Sequence, residues 1–337
     1  MPAEFKDRAT GEIQPHLILP TRERAGFLGI KNNIIPVFSV RIPEQHYQIA
    51  QATSSKKPVA FEAPGVFGIL LAVENSRELN TNGHQFWALK QGRERADKVP
   101  FMLPPRDLPR IIDLNKVHPD YHHLRNAKDR EQFWGNLPFH LIGPVIDNIP
   151  VVRPEVFITT PEDSQKKPPD QYVPVSTVCA YFQNDEDWDN IARLSNRFTH
   201  RSLFGITSFN DNGEQPPFNI HELAQYMNLK TQNGSTTFLD IEAIVIDEAA
   251  EKTNIRSSQT QVRLPLPFES PELIIIRQGP VSPRMLSEQT GHPVKVLNSA
   301  KTASRGHPDN HDLTSYLIEF LDYSQRMIAN RKSRVLV

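Results

Sequence analysis

Twenty-nine prolines are spread through the 337 residues of this chain, and they constrain its fold more than any other feature. A proline fixes its own φ and lacks a backbone donor, so it stops helices and is kept to the edges and ends of strands. Average usage is roughly 5%. The excess here collects in runs such as "GPVIDNIPVVRPEVFITTPEDSQKKPPDQYVP", residues 143 to 174. Long helices are therefore unexpected, and many loops, extended segments and edge strands are expected. That run is read as an extended insertion or a partly mobile loop, within a proline-rich insertion that would span residues 115–174.

Between the proline-rich stretches, apolar residues recur with strand or helix periodicity. "KKPVAFEAPGVFGILLAV" reads as strand, tight turn and a second apolar element. "HQFWALKQGRERADKVPFML" reads as strand, charged turn, strand, and "LPPRDLPRIIDL" as a lead into a short helix. A helix is expected around Asn126 to Phe133, and "VSTVCAYF" resumes as a strand. "DEDWDNIARLSNRF" places Trp188, Ile191, Leu194 and Phe198 on one side of an amphipathic helix. "TTFLDIEAIVIDE" and "PELIIIRQGPVS" read as late strands, and "PRMLSEQTG" as a short helix closed by Gly291. A last helix is expected in "LTSYLIEFLDYSQRMIANRKSR", its basic end suiting the negative pole of the helix dipole.

These elements predict an α/β or α+β protein with a mixed sheet rather than strict βαβ winding. Residues 1–50 are read as an N-terminal extension with one or two strands, 51–290 as the main domain, and 291–337 as a C-terminal linker and helix.

Thirty-eight basic against 39 acidic residues leave a net charge of −1, which argues against wholesale binding of nucleic acid or membrane. A single cysteine, Cys179, excludes an internal disulfide and a thiolate-rich metal site. With no apolar run near the ~20 residues of a membrane helix and no secretory signal in "MPAEFKDRATGEIQPH", a cytoplasmic protein is expected.

The stretch "FGITSFNDNGEQPPFNIHEL", residues 204 to 223, concentrates chemistry. An apolar strand ends on Ser208, Asn210, Asp211 and Asn212, and Gly213, Pro216 and Pro217 then break regular structure. Asn219 followed by Glu222 forms a capping-box pattern ahead of Leu223. Such a strand end can face a ligand, or its Ser and Asn can simply form the turn.

The histidines His118, His122 and His123, and the pair His307 and His311 beside Asp309 and Asp312, have spacings that zinc sites use. Both groups lie beside proline and aspartate in expected surface loops, so no metal site is assigned. The basic end at Arg326, Arg331, Lys332 and Arg334 is read as a solvated helix end, and without interleaved aromatics it does not favour single-strand stacking.

Four segments in one order carry a resemblance. "VAFEAPGVFGILLAV", "FWALKQGRERADKVPFML", "FGITSFNDNGEQPPF" and "ELIIIRQGPVSPRML", spanning roughly residues 56 to 290, resemble the YrdC-like family of threonylcarbamoyl-adenylate synthases. The resemblance implies an open, twisted mixed α/β sheet around a concave, positively charged cavity. It implies ATP with Mg²⁺ and an amino-acid-like molecule as substrates, adenylation of a carbamate for tRNA modification, and no tightly bound cofactor. Double-stranded RNA is a further partner associated with the domain.

Matched residue by residue, Lys90 takes the place of the lysine in Lys-x-Arg, and Arg93, or alternatively Arg95, the arginine. Ser208 and Asn210 match Ser-x-Asn, Thr260 a threonine of a Ser-Thr pair, and Arg277 the late arginine. Lysine and arginine would hold phosphate charge as pyrophosphate leaves, and Ser208 and Asn210 would offer short hydrogen bonds. The sequence departs from the pattern where the family has Pro-Thr-x-Thr, because Glu62-Ala63-Pro64-Gly65 stands there without hydroxyls. Phe67 replaces a tyrosine, Gln259 a serine, and the arginine expected in "STVCAYFQND" is missing at Ala180 or Tyr181. The departures leave two alternatives, an enzyme with a changed substrate or a catalytically silent module that binds duplex RNA or a protein.

Overall fold

The computed structural model describes residues 16–22, 30–55, 57–63, 66–73, 101–135, 137–146, 177–182, 186–199, 203–210, 216–232, 241–247 and 259–302. In chain order the elements are β1 (His16–Arg22), β2 (Ile30–Ser39), α1 (His46–Thr53), β3 (Val59–Ala63), β4 (Val66–Val73) and β5 (Phe101–Met102). There follow α2 (Ala127–Trp134), β6 (Phe139–Pro144), β7 (Thr177–Phe182), α3 (Glu186–Thr199), β8 (Leu203–Ser208) and α4 (Ile220–Gln232). The last are β9 (Ala243–Ile246), β10 (Gln261–Arg263), β11 (Leu273–Gln278), α5 (Pro283–Thr290) and β12 (Val294–Thr302). Short 3-10 helices over Pro105–Arg110 and Pro119–Arg125 join them.

Twelve strands form one sheet in the order β1-β2-β9-β3-β4-β8-β5-β7-β6-β10-β11-β12. It is mixed: β9 runs parallel to both β2 and β3, whereas the β3–β4 and β4–β8 neighbours are antiparallel. This is the mixed α/β architecture expected from the sequence. The segments read as N-terminal extension and C-terminal linker both supply strands, since β2 pairs with β9 and β12 forms the far edge beside β11.

The central strands are buried on both faces, and alternate residues serve opposite cores. Val59, Phe61, Leu70, Ala243 and Val245 pack with Ile49 and Ala50 of α1 and Trp188 and Ile191 of α3. Their neighbours Ala60, Ile69, Leu71 and Ile244 turn to the other face, against Tyr121, Trp134, Leu223 and Leu286. In α3, Trp188 and Ile191 are buried as the periodicity predicts, but Phe198 stays 40% exposed and meets Tyr47 edge-on at 5.0 Å.

Caps explain where several helices begin and stop. Asn126 accepts from the Lys128 N–H at 2.9 Å ahead of α2, and Asn219 from the Glu222 N–H at 2.9 Å ahead of α4. Ser282 accepts from the Met285 N–H at 3.2 Å, and α5 ends at Gly291 with φ 71°, a left-handed position that glycine adopts without strain.

Residues 115–134 belong to the core rather than to an insertion. Tyr121, Leu124 and Trp134 are fully buried there, and Arg130 ties the segment together. Its guanidinium donates to the carbonyls of Pro105, Leu124, Arg125 and Arg106 at 2.7–2.9 Å. Thus one cation satisfies the Leu124 and Arg125 carbonyls that the second 3-10 helix leaves at its end and ties them to the start of the first. Of the expected proline-rich segment 144–174, residues 147–174 lie outside the described residues, as does the expected C-terminal helix.

Candidate functional site

The carboxyl ends of β2, β3, β8 and β9 reach the same edge of the sheet, because β2, β9 and β3 run parallel and β8 is antiparallel to β4 as β3 is. In open α/β sheets ligands sit outside the carboxyl ends of the strands. Ser208 ends β8 at this edge, paired with Gly68 of β4. Its hydroxyl donates to Asn210 Oδ1 at 2.6 Å, and the Asn210 N–H turns back to the Ser208 carbonyl at 3.1 Å. The backbone is fixed alongside: the Phe209 N–H donates to Phe67 O at 2.8 Å, and the Phe67 N–H to Pro217 O at 2.7 Å.

Gly68 is required beside Ser208. A β-carbon there would stand 2.5 Å from Phe61 Cε1, since the Phe61 ring covers the glycine from the paired strand. Phe61 in turn meets Trp188 of α3 edge-on, with ring centroids 6.1 Å apart. The partly buried pair Ser208–Asn210 is thereby backed by a packed aromatic layer.

Three strands away the same edge holds a buried ionic network that sequence reasoning missed. Arg41, just past β2, donates Nε to Asp247 Oδ1 at 2.9 Å and Nη2 to Asp247 Oδ2 at 2.7 Å. Its Nη1 reaches Asp187 Oδ2, at the start of α3, at 3.1 Å. The Asp247 N–H donates to Glu62 Oε2 at 2.9 Å, so the Glu62 carboxylate of β3 is tied to the end of β9. His46 Nε2 lies 2.7 Å from the Val40 carbonyl and Nδ1 3.0 Å from the Asn190 amide nitrogen. A carbonyl only accepts, so Nε2 is the donor toward Val40. The burial is near complete, at 3% exposure for Arg41, 0% for Asp247 and 1% for Glu62. Only the alternation of charge with apolar residues in "VFSVRIP" and "AIVIDE" could have hinted at it, because the partners lie 206 positions apart.

Thr260 and Arg277 sit elsewhere. Arg277 pairs with Gln261, and the same row runs on through His140, Tyr181 and Met102 to Phe204. Ser208 lies four residues further along β8 than Phe204 and five strand steps across from β11. At roughly 4.8 Å per step, the register places Arg277 on a distant strand of the sheet from the Ser208–Asn210 edge.

Thr260 is fully buried, and its hydroxyl donates to Val281 O at 3.0 Å while accepting from the Gly279 N–H at 3.1 Å and the Val281 N–H at 3.0 Å. A hydroxyl has one proton and two lone pairs, so Thr260 spends all three on the turn between β11 and α5. Arg277 donates Nε and Nη2 to the Gln259 carbonyl at 3.1 and 2.9 Å, reinforcing the same turn. His140, level with Arg277, is held well below its ordinary 6.5 by burial and then by the Arg277 charge. Lys90, Arg93 and Arg95 lie outside the described residues.

Among the described residues no group of three or more His, Cys, Asp or Glu could hold a metal ion. His118 caps its helix by accepting from the Asp120 N–H at 3.2 Å, and His123 Nδ1 lies 2.7 Å from the Asp120 carbonyl. No helix of the described residues is long and apolar enough to cross a membrane.

No family model and no curated protein matches the sequence. Among solved structures the chain is similar to P. abyssi Sua5 complexed with L-threonine, at 17% identity and a TM-score of 0.51, covering 80% of this chain and 68% of that one. A doubly substituted P. abyssi Sua5 aligns at 15% identity and a TM-score of 0.46, over 78% of this chain but 62% of its own length. E. coli YciO aligns at 12% identity and a TM-score of 0.40, over 73% of this chain and 96% of its own. At such identity the likeness to the threonine complex speaks for the fold alone, an open mixed α/β sheet.

Proposed function

We propose that this chain is a nucleotide-binding protein that uses ATP, with Mg²⁺ on its phosphates, to adenylate the carbamate or carboxylate of an amino-acid-like substrate in tRNA modification. The observation that carries the reading is the Ser208–Asn210 pair at the carboxyl edge of the sheet, beside the side-chain-less Gly68. The fold adds support, since the Sua5 structure at a TM-score of 0.51 contains L-threonine. In the reaction a carboxylate oxygen bonds to the α-phosphorus of ATP, the bond from that phosphorus to the bridging oxygen breaks, and pyrophosphate leaves. Lys90 and Arg93 supply positive charge to the leaving group. Ser208 and Asn210 hydrogen-bond the nucleotide, and Thr260 and Arg277 act indirectly through the turn they brace.

Calorimetric titration with ATP and Mg²⁺, with and without threonine and bicarbonate, tests this reading. Micromolar binding followed by pyrophosphate release is expected, and Lys90→Ala should abolish binding with little change in Tm. Absence of binding by ATP, AMP and a non-hydrolysable analogue overturns it.

A second reading is favoured by Glu62, which is buried and accepts from Asp247 in the segment that lacks the hydroxyls of the family pattern. It makes the chain a catalytically silent module for double-stranded RNA or a protein partner. Duplex affinity that falls steeply with salt, together with no nucleotide binding, is its signature.

A further inference from the structure

On the face of the sheet that carries α2 and α5, four rings from three elements meet. Tyr121 and His123 come from the Pro119–Arg125 helix, Phe133 from α2, and His292 from the loop that leads out of α5 into β12. His292 stacks on Tyr121 with centroids 4.3 Å apart and planes 25° apart, and on His123 at 5.5 Å and 12°. Phe133 flanks the group, 6.3 Å from Tyr121 and 6.1 Å from His292. The Tyr121 hydroxyl is spent on the Pro271 carbonyl at 2.8 Å, ahead of β11, so the stack touches the approaches to both β11 and β12.

The backbone of the loop is tied mainly to its own helix. The His292 carbonyl accepts from Ser287 Oγ at 2.9 Å, and its N–H donates to Thr290 Oγ1 at 3.3 Å. Gly291 at φ 71° turns the chain directly before it. The rings therefore provide the contact between the loop and the Pro119–Arg125 helix.

We propose that the Tyr121–His292–His123 stack is an acid-released clasp that holds the α5–β12 loop against the Pro119–Arg125 helix. Neutral imidazoles stack face to face without a charge to solvate. A proton on His292 places a cation in a half-buried site, 5.5 Å from the centre of a second titratable ring. From the Pro119–Arg125 helix, Asp120 and His123 face His292, while Glu272 ahead of β11 faces Tyr121 and α2 contributes the Phe133 ring. His118 Nδ1 lies 3.6 Å from Asp120 Oδ1 on the same helix. Burial and then His123 press His292 below its ordinary 6.5, and Asp120 opposes them with the smaller effect. Protonation is thus resisted while the clasp is closed and favoured once it opens. Acid shifts the balance toward the open loop and loosens the start of β12 at the sheet edge.

The test is amide hydrogen exchange on the full chain at pH 7.5 and pH 5, corrected for intrinsic rates, with NMR titration of the histidine ring protons. At pH 5 the amides of Leu273, His292 and Val294 to Val296 should exchange faster than at pH 7.5 by at least tenfold beyond any acceleration of the other sheet amides. His292→Phe keeps a stacking ring without a titrating group and should abolish the acceleration. His123→Gln should raise the His292 midpoint toward its ordinary value. Equal acceleration in wild type and His292→Phe overturns the proposal, as does a His292 midpoint unmoved by His123→Gln.

Discussion

Arg41 grips Asp247 through two parallel hydrogen bonds of 2.9 and 2.7 Å, and both side chains are about 1% exposed. This pair joins the ends of β2 and β9, and Arg41 Nη1 extends the link to Asp187 in α3. Removing one partner of a buried pair leaves an uncompensated charge, at a cost of about 3–5 kcal/mol. Arg41→Ala is therefore expected to lower the free energy of unfolding by that amount in urea titrations. Arg41→Lys should recover only part, since an ammonium cannot match the fork. A loss under 1 kcal/mol in Arg41→Ala would show the network to be dispensable.

Gly68 has room for hydrogen only, because Phe61 covers it. Gly68→Ala forces the ring aside and should destabilise the chain by about 1–3 kcal/mol. The double variant Gly68→Ala with Phe61→Leu should recover part of the loss by relieving the clash. Nucleotide affinity in Gly68→Ala should also fall, since Ser208 is the paired residue. Thermal unfolding of the single and double variants checks the first point and calorimetry the second.

Thr260 makes three hydrogen bonds inside the core. Thr260→Val keeps the shape and orphans two N–H donors and a carbonyl, at about 1–3 kcal/mol for each group left unsatisfied. Thr260→Ser keeps the hydroxyl and should stay close to wild type. Chemical denaturation of the two variants separates the hydroxyl from the methyl group.

His140 is neutral in the folded chain, because burial and the Arg277 charge hold it well below 6.5. The unfolded chain takes up a proton near that ordinary value, so the stability linked to His140 is complete above about pH 6.5 and declines as the pH falls below it. The decline should approach about 1.4 kcal/mol per pH unit until the folded ring titrates. His140→Gln should flatten this part of the profile, and Arg277→Gln should move the His140 midpoint upward. Urea midpoints measured between pH 5 and pH 8 would show both effects.

Much of the secondary structure was legible because its signals are local. Asn219 with Glu222, Asn126 ahead of α2, and Gly291 after α5 each act within one helical turn, and each stands where the pattern placed it. The pattern of "VAFEA" and the apolar run of "LIIIRQ" likewise marked strands, the first buried throughout and the second over Leu273 to Ile275. The strand end at Ser208 and Asn210 was visible for the same reason, as small polar residues closing an apolar run.

Register and pairing are different, because they depend on residues far apart in the chain. The sequence by itself set many of the elements, several of their caps, the polar end of β8 and the mixed α/β class, but not α1, β10 or β12. The tertiary structure decided that β2 and β12 complete the sheet, and that Arg41 meets Asp247 across 206 positions. It also decided that Arg277 and Thr260 brace a turn away from Ser208. A cap is chosen by a few neighbouring dihedrals and one side chain. The partner of a buried charge is chosen by strand order, and strand order comes from burying two faces of one sheet at once.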